Sequence, residues 1–411
     1  MAEQQRLNPT LGLGQITFFG VGVILGAGIY ALVGKAAGFS GPMLWLSFAI
    51  ASATAVLTAF AYAELSSMFP RAGGEYVYAR HSIGAKPAVF LGLMVSANST
   101  VSGATISLAF AGYLAQIVDV GTFLAAIVIL ALILGINIIG IRQSSIFNII
   151  FTIIEFGGLA LVLYAALPHI GSVDLLELPP EGVGGVLMGA ALSFYAYMGF
   201  EDLVKLAEES KNPRRDIPRA LFLSSGIIII VYMLIAVAAV STVPWNELSE
   251  SDSPLALVLE TSFGGTAAII ISVIALFSTS NTILSNMLAA SRIILDMAKS
   301  SSVLKALAYV APRFRTPVVA LTLVAIVMAA LSLIGSITTV ALIANAFIYI
   351  TFITVNICVI VLRFRRPDAE RPFRIPLSVG RIPIPAILAL LLTLLMLGFN
   401  IYTLALGYDV S

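Results

Sequence analysis

Glu155 stands alone in an apolar run, Phe151-Thr152-Ile-Ile-Glu155-Phe-Gly157-Gly158. A carboxyl kept from water and from other charges suits the uptake and release of a proton. It equally suits a structural task, as a protonated or hydrogen-bonded group joining helices. A second run, Ser193-Phe-Tyr195-Ala-Tyr197-Met-Gly199-Phe200-Glu201-Asp202, sets a glycine among aromatics and ends in two carboxylates. A third, Gly20-Val-Gly22-Val-Ile-Leu-Gly26-Ala-Gly28-Ile-Tyr30, holds four glycines in nine residues. Each glycine weakens a helix by roughly 1 kcal/mol against alanine. Gly22 and Gly26 form a Gly-x-x-x-Gly pair that suits close helix packing. The same run could instead unwind at Gly26-Ala27-Gly28 and present backbone amides to a ligand.

Polar side chains cluster in Ser278-Thr279-Ser280-Asn281-Thr282, with Ser285 and Asn286 after them. They could bond helix to helix. With backbone carbonyls, they could also ligate a hard cation such as sodium. Asn98, Ser99, Thr100 and Ser102, and later Thr338, Thr339 and Asn345, could line a polar path or serve the same packing. Gly38-Phe-Ser40-Gly41 matches the Gly-x-Ser-Gly of serine-type membrane proteases, or marks a turn before Pro42. A serine nucleophile needs a base within hydrogen-bond reach. The only histidines, His81 and His169, both fall in loops away from Ser40. No catalytic set is assigned, and one cysteine, Cys358, leaves no cysteine metal cluster.

These groups sit in a chain of 411 residues, 59% hydrophobic and 10% charged, with mean hydropathy +1.04. A soluble domain runs at roughly 25% charged residues. So little charge could not cover a soluble surface. The net charge of +1 gives no field to draw nucleic acid. The chain is an all-α polytopic membrane protein. A spanning helix needs about 20 apolar residues. By that measure about eleven spans follow, near 15–35, 43–68, 87–115, 122–140, 147–167, 183–206, 219–243, 264–295, 317–334, 338–362 and 383–406.

Basic residues gather on the cytoplasmic side of membrane proteins. With the N-terminus inside, 21 of the 22 Lys and Arg fall in cytoplasmic segments, leaving only Lys35 outside. The assignment predicts a cytoplasmic N-terminus and an external C-terminus. The glycine-broken first and sixth spans lie five apart. Interrupted helices at corresponding places in two halves point to a transporter site near the bilayer midplane. Freed amides would attract an anionic group and freed carbonyls a cation. An amino acid carries both.

At this point the chain resembles the amino acid-polyamine-organocation (APC) superfamily, in the branch related to cationic amino-acid transporters. The resemblance rests on four segments. They are Gly22 to Tyr30; Tyr62-Ala-Glu64 through Pro70-Arg71-Ala-Gly73-Gly74-Glu75-Tyr76; Phe194 to Glu201 continuing through Lys211-Asn212-Pro213-Arg214-Arg215-Asp216-Ile-Pro218-Arg219; and Ala290-Ser291-Arg292 with Pro312-Arg313-Phe-Arg315-Thr316-Pro317. It implies a single permease domain over 1–411 with the LeuT-type fold. Inverted repeats would cover about 15–167 and 183–362, with an extra helix near 383–406.

The resemblance implies further that amides of Gly26, Ala27, Gly28 and Ile29 hold a substrate carboxylate. Carbonyls of Val23 or Ile24, and of Phe194, Tyr195 and Met198, would hold its amino group. Tyr195 stands where relatives carry an aromatic gate, and Glu201 where some carry a proton-sensing acid. The small side chains of Ala27 and Ala196 would admit a range of neutral amino acids. Many relatives carry a lysine where Glu155 stands, replacing a sodium between spans one and eight. A carboxylate reverses the sign there. It could take a proton, or bind a cation beside Leu276, Thr279 and Ser280. The expected function is secondary active amino-acid transport by alternating access in the plasma membrane, coupled to protons. Sodium coupling and obligate exchange are the alternatives, and an intramembrane enzyme or a channel is more remote. No cofactor, metal or nucleic-acid partner is expected, and the oligomeric state is left open.

Overall fold

A computed structural model describes residues 11–71, 73–139, 145–299, 305–311 and 316–407. Arg6, Arg142, Arg313, Arg315 and Asp409 of the charge pattern lie outside the described residues. The first expected span is two helices, α1 (Leu13–Leu25) and α2 (Ala27–Ser40), parted at Gly26. A 3-10 turn over Gly41–Met43, with Pro42 in it, leads into α3 (Leu44–Met68). Then come the short α4 (Gly74–Ser82), and α5 (Ala85–Ala115), α6 (Thr122–Ile139) and α7 (Ser145–Ala166).

The sixth span starts as α8 (Val183–Ser193) and tightens into a 3-10 segment over Phe194–Tyr197. Met198 is extended, Gly199 is left-handed at φ +113°, and a 3-10 helix resumes over Phe200–Glu208. Glycine is the residue that adopts this backbone region without a Cβ penalty. Next are α9 (Pro213–Thr242), α10 (Trp245–Glu250), α11 (Pro254–Phe263), α12 (Gly265–Lys299), α13 (Val318–Ser332) and α14 (Ile337–Arg365). A hairpin of β1 (Ser378–Val379) and β2 (Ile382–Pro383) precedes α15 (Ile384–Ala405).

Among the described residues, nine stretches are long and apolar enough to cross a membrane. The sequence estimate is about eleven. Two features account for the difference. Ala27–Met68 joins parts of the first two expected spans through the Gly41–Met43 turn, and Val318–Ser332 is a shorter apolar helix.

Packing follows the rule for helices in lipid, where small residues allow close approach. α3 packs on α9 and buries Ala51, Ala55, Ala59 and Ala63 at every fourth position. The rim is apolar. α6 exposes Leu124, Leu132 and Ile139, and α15 exposes Leu388 and Leu391. Such faces fit hydrocarbon, while the helices satisfy their own backbone polar groups. The N-terminal strand-like residue Leu11 is tied to the end of the sixth span: its amide donates to Glu209 and its carbonyl accepts from Lys211, both at 2.9 Å. α5, α12 and α14 pack around the two broken spans.

Candidate functional site

The two helix breaks touch. A Cβ added at Gly28 would lie 2.8 Å from the Ala196 Cα, and one at Gly199 would lie 3.0 Å from the Val23 carbonyl oxygen. The first position therefore needs glycine for close backbone approach and the second for its left-handed turn. Gly26 ends α1, and α2 begins at Ala27. The first N–H groups of a helix have no partner within it, so the opening residues of α2 present donors at the break. Thr282 on α12 answers one of them: its hydroxyl oxygen accepts from the Ala27 amide at 3.2 Å.

The carbonyl end of α1 is also tended. The Tyr232 hydroxyl donates to Ile24 at 2.7 Å and lies 3.2 Å from the Leu25 oxygen. In the sixth span the Glu201 carboxylate turns back and accepts from the Gly199 amide at 2.8 Å. The end of α8 is held by Asn345, whose amide donates to the Ala191 carbonyl at 2.7 Å, and by Tyr349, whose hydroxyl donates to the same oxygen.

A cavity of about 100 Å³ opens at this junction. Pockets for drug-sized ligands measure roughly 300–1,000 Å³, so this one suits a small solute. Val23, Ile24, Gly26, Ala27 and Gly28 line one wall, and Tyr195, Ala196, Met198 and Glu201 another. Asn98, Ser99 and Ser102 of α5 and Asn281, Thr282, Ser285 and Asn286 of α12 supply polar groups. The Tyr195 hydroxyl donates to the Ser102 carbonyl at 3.1 Å.

Ile29 and Phe194 lie outside the lining. Ile29 is buried, and Phe194 packs on Tyr349 with ring centroids 4.7 Å apart. Thr100, Thr338 and Thr339 are likewise not in the lining.

The cavity extends from the breaks toward the basic end of the bundle, where Glu75, Asp202 and Lys205 join its wall. Sequence reasoning did not single out Glu75 or Lys205 as site residues; their signal was only a charge next to an apolar run. Lys205 pairs with Asp202. Glu75 accepts from the Tyr62 hydroxyl at 3.0 Å, and burial pushes its carboxyl above the usual glutamate range. The other end is shut. The Tyr113 hydroxyl donates to the Tyr30 carbonyl at 2.9 Å. Lys35 donates to the Ser249 carbonyl at 2.9 Å and faces Asp252 at 3.6 Å. A Cβ on Gly34 would overlap the Leu248 carbonyl oxygen.

Glu155 lies outside this cavity, 2% exposed, on α7. It meets α12 at Ser278, yet Glu155 Oε2 and Ser278 Oγ are both buried without a well-formed hydrogen bond. The Tyr30 hydroxyl of the first span donates to the Glu155 backbone carbonyl at 3.2 Å. So Glu155 stands between spans one and eight. Thr279 and Ser280 turn their hydroxyls to their own helix, at Ala275 and Leu276. Glu64, also fully buried, differs: Arg363 and Arg371 both donate to it. Ser40 shares a 2.7 Å hydrogen bond with Ser47, and His81 stacks on Phe69.

The sequence pattern described as "Amino acid permease" matches residues 11–408. The chain is 28% identical to the Branched-chain amino acid permease BcaP of Bacillus subtilis (strain 168), over 96% of this chain and 90% of that protein. It is 30% identical to the Cationic amino acid transporter 3, mitochondrial, of Arabidopsis thaliana, over 90% of this chain and 65% of that longer protein. It is 26% identical to the Methylthioribose transporter of Bacillus subtilis (strain 168), over 91% and 86% of the two chains.

Proposed function

The chain belongs to the amino acid permease family, and on that premise we propose that it carries an amino acid across the membrane by alternating access. Family and relatives are permeases and transporters, not enzymes. One observation carries the reading: two interrupted helices meet at one small polar cavity. Amides at the start of α2 suit a carboxylate. Carbonyls near Val23 and Tyr195 suit an ammonium group. The Ile24 carbonyl already accepts from Tyr232 and the Tyr195 carbonyl from the Met198 amide, each keeping a second lone pair for an ammonium donor. The cavity opens toward the basic end, which the charge rule makes cytoplasmic. The state is then inward-facing, with Lys35, Tyr113 and Gly34 sealing the outside. The LeuT-type pair of inverted repeats supplies the rocking motion in this reading.

The coupling ion in this reading is the proton, carried by Glu155. Its burial beside Ser278, with no ion pair to it among the described residues, supports a group that binds a proton rather than one that completes an ion pair. Sodium coupling is the alternative: the Thr279 and Ser280 hydroxyls donate to their own helix, which leaves their oxygen lone pairs for a cation. The substrate side chain is left open. Relatives named for branched-chain amino acids, cationic amino acids and methylthioribose share this likeness.

The test is uptake by the purified full chain in liposomes, with each amino acid in turn and an acidic exterior. Saturable accumulation of at least one amino acid is expected, and it should vanish when the pH gradient is collapsed. No accumulation and no exchange of any amino acid would sink the proposal.

A further inference from the structure

A second cavity, of about 260 Å³, shares no lining residue with the cavity at the helix breaks. It sits where α14 ends and α15 is about to begin, and four arginines line it: Arg363, Arg371, Arg374 and Arg381. No aspartate or glutamate is in the lining. Glu64 lies behind it and faces two of the four. Asp368 and Glu370 of the same loop are outside the lining, and Glu370 pairs with Arg214, so every charged group in the lining is basic.

The donors divide by task. A guanidinium has five N–H donors. Arg371 uses all of them inside the protein: Nε reaches Glu64, and its two terminal nitrogens reach the Pro367, Ala369, Leu362 and Arg366 carbonyls. It closes the C-terminal end of α14. Arg363 places two donors on Glu64 and one on the Ser378 hydroxyl. The Ile375 amide adds another donor to Glu64 at 2.9 Å. Among the described residues Arg374 makes one hydrogen bond, to the Gly380 carbonyl at 3.3 Å. Arg381, at the tip of the β1–β2 hairpin, has no internal partner among the described residues.

The hairpin fixes where those spare donors sit. Gly380 occupies the first turn position with φ +61°, as a type II′ turn requires, which leaves Arg381 as the second turn residue. Glu64, held by the two inner arginines, anchors this segment to the end of α3. Arg374 and Arg381 are exposed, so the cavity is accessible. Beside them Leu377 and Val379 are 79% and 69% exposed. Apolar side chains next to arginines, at the mouth of two spans, fit the boundary between headgroups and hydrocarbon.

We propose that this arginine cavity binds a phosphate group. Guanidinium forks match phosphate oxygens in pairs, and spare donors on two accessible arginines, in a cavity with no carboxylate in its lining, suit a phosphate oxyanion. That group can come from an anionic phospholipid headgroup or from free phosphate in solution. The exposed apolar rim favours the lipid.

The test uses the full chain in phosphatidylcholine nanodiscs and measures thermal stability. One arm adds phosphatidylglycerol, the other titrates inorganic phosphate. The chain should gain stability with phosphatidylglycerol, with phosphate, or with both, and the responding arm identifies the source. In R374Q/R381Q the concentration needed for half the shift should rise by about tenfold or more, from the loss of charge-assisted hydrogen bonds. If that double variant is poorly folded, R381Q alone removes no internal hydrogen bond and gives the same comparison. R292Q makes the same charge change as R381Q on an exposed arginine of α12, a helix that packs on α5, α11 and α13 rather than on this segment, and should keep the shift. The proposal is overturned by no shift of the native chain in either arm, by a full shift in R381Q, or by equal loss in R292Q.

Discussion

Glu64 and Glu155 are two carboxylates buried to nearly the same degree, 0% and 2% exposed, in opposite electrostatic settings. Glu64 accepts from Arg363, Arg371 and the Ile375 amide, and those partners draw the segment after α14 onto the end of α3. Glu155 has Ser278 for company and one carboxylate oxygen without a good hydrogen bond. Burial alone therefore does not mark a working group. The two guanidiniums tie Glu64 to a structural task, whereas Glu155 has no such tie, which is what the proposed coupling role needs.

Glu64→Gln should produce the largest effect. It leaves Arg363 and Arg371, 3% and 8% exposed, without their countercharge. Removing one partner of a buried pair costs about 3–5 kcal/mol. Folded yield and melting temperature in detergent should both drop sharply; a variant as stable as the native chain would break the contrast.

Glu155→Gln should do the reverse. No partner is left uncompensated, so stability should stay within about 1 kcal/mol, the ordinary range for a mild substitution. Accumulation driven by a pH gradient should disappear, while exchange of labelled for unlabelled substrate continues. Intact gradient-driven uptake in this variant would remove Glu155 from the coupling role.

Glu75 offers a smaller, graded case between the two. Its carboxyl is raised above 4.5 chiefly by burial, with Lys205 opposing that shift. A raised carboxyl binds its proton more tightly when folded than unfolded, so stability is full below the unfolded value and falls as pH climbs through the folded one. In Glu75→Gln the decline of melting temperature from pH 4.5 upward should flatten. An unchanged slope would show that other groups set it.

The helix breaks were legible because their causes are local. Glycine clusters weaken a helix wherever they fall, and the interruptions at Gly26 and Gly199 are within the runs that the sequence singled out. The membrane class and the clustering of basic residues were legible for the same reason: each depends on the count and order of residues along the chain. Ser278 and Thr282 were visible only as members of a polar run. Which of that run faces Glu155 and which faces Ala27 depends on helix rotation against neighbours far away in the chain.

The sequence by itself determined that this is a charge-poor helical membrane protein with two broken spans and few carboxylates at depth. The tertiary structure decided what each of those carboxylates meets. Glu64 and Arg363 are 299 positions apart, and no local pattern links them. A buried charge takes its meaning from whatever the fold brings within hydrogen-bond distance, and that distance is set by packing rather than by order along the chain.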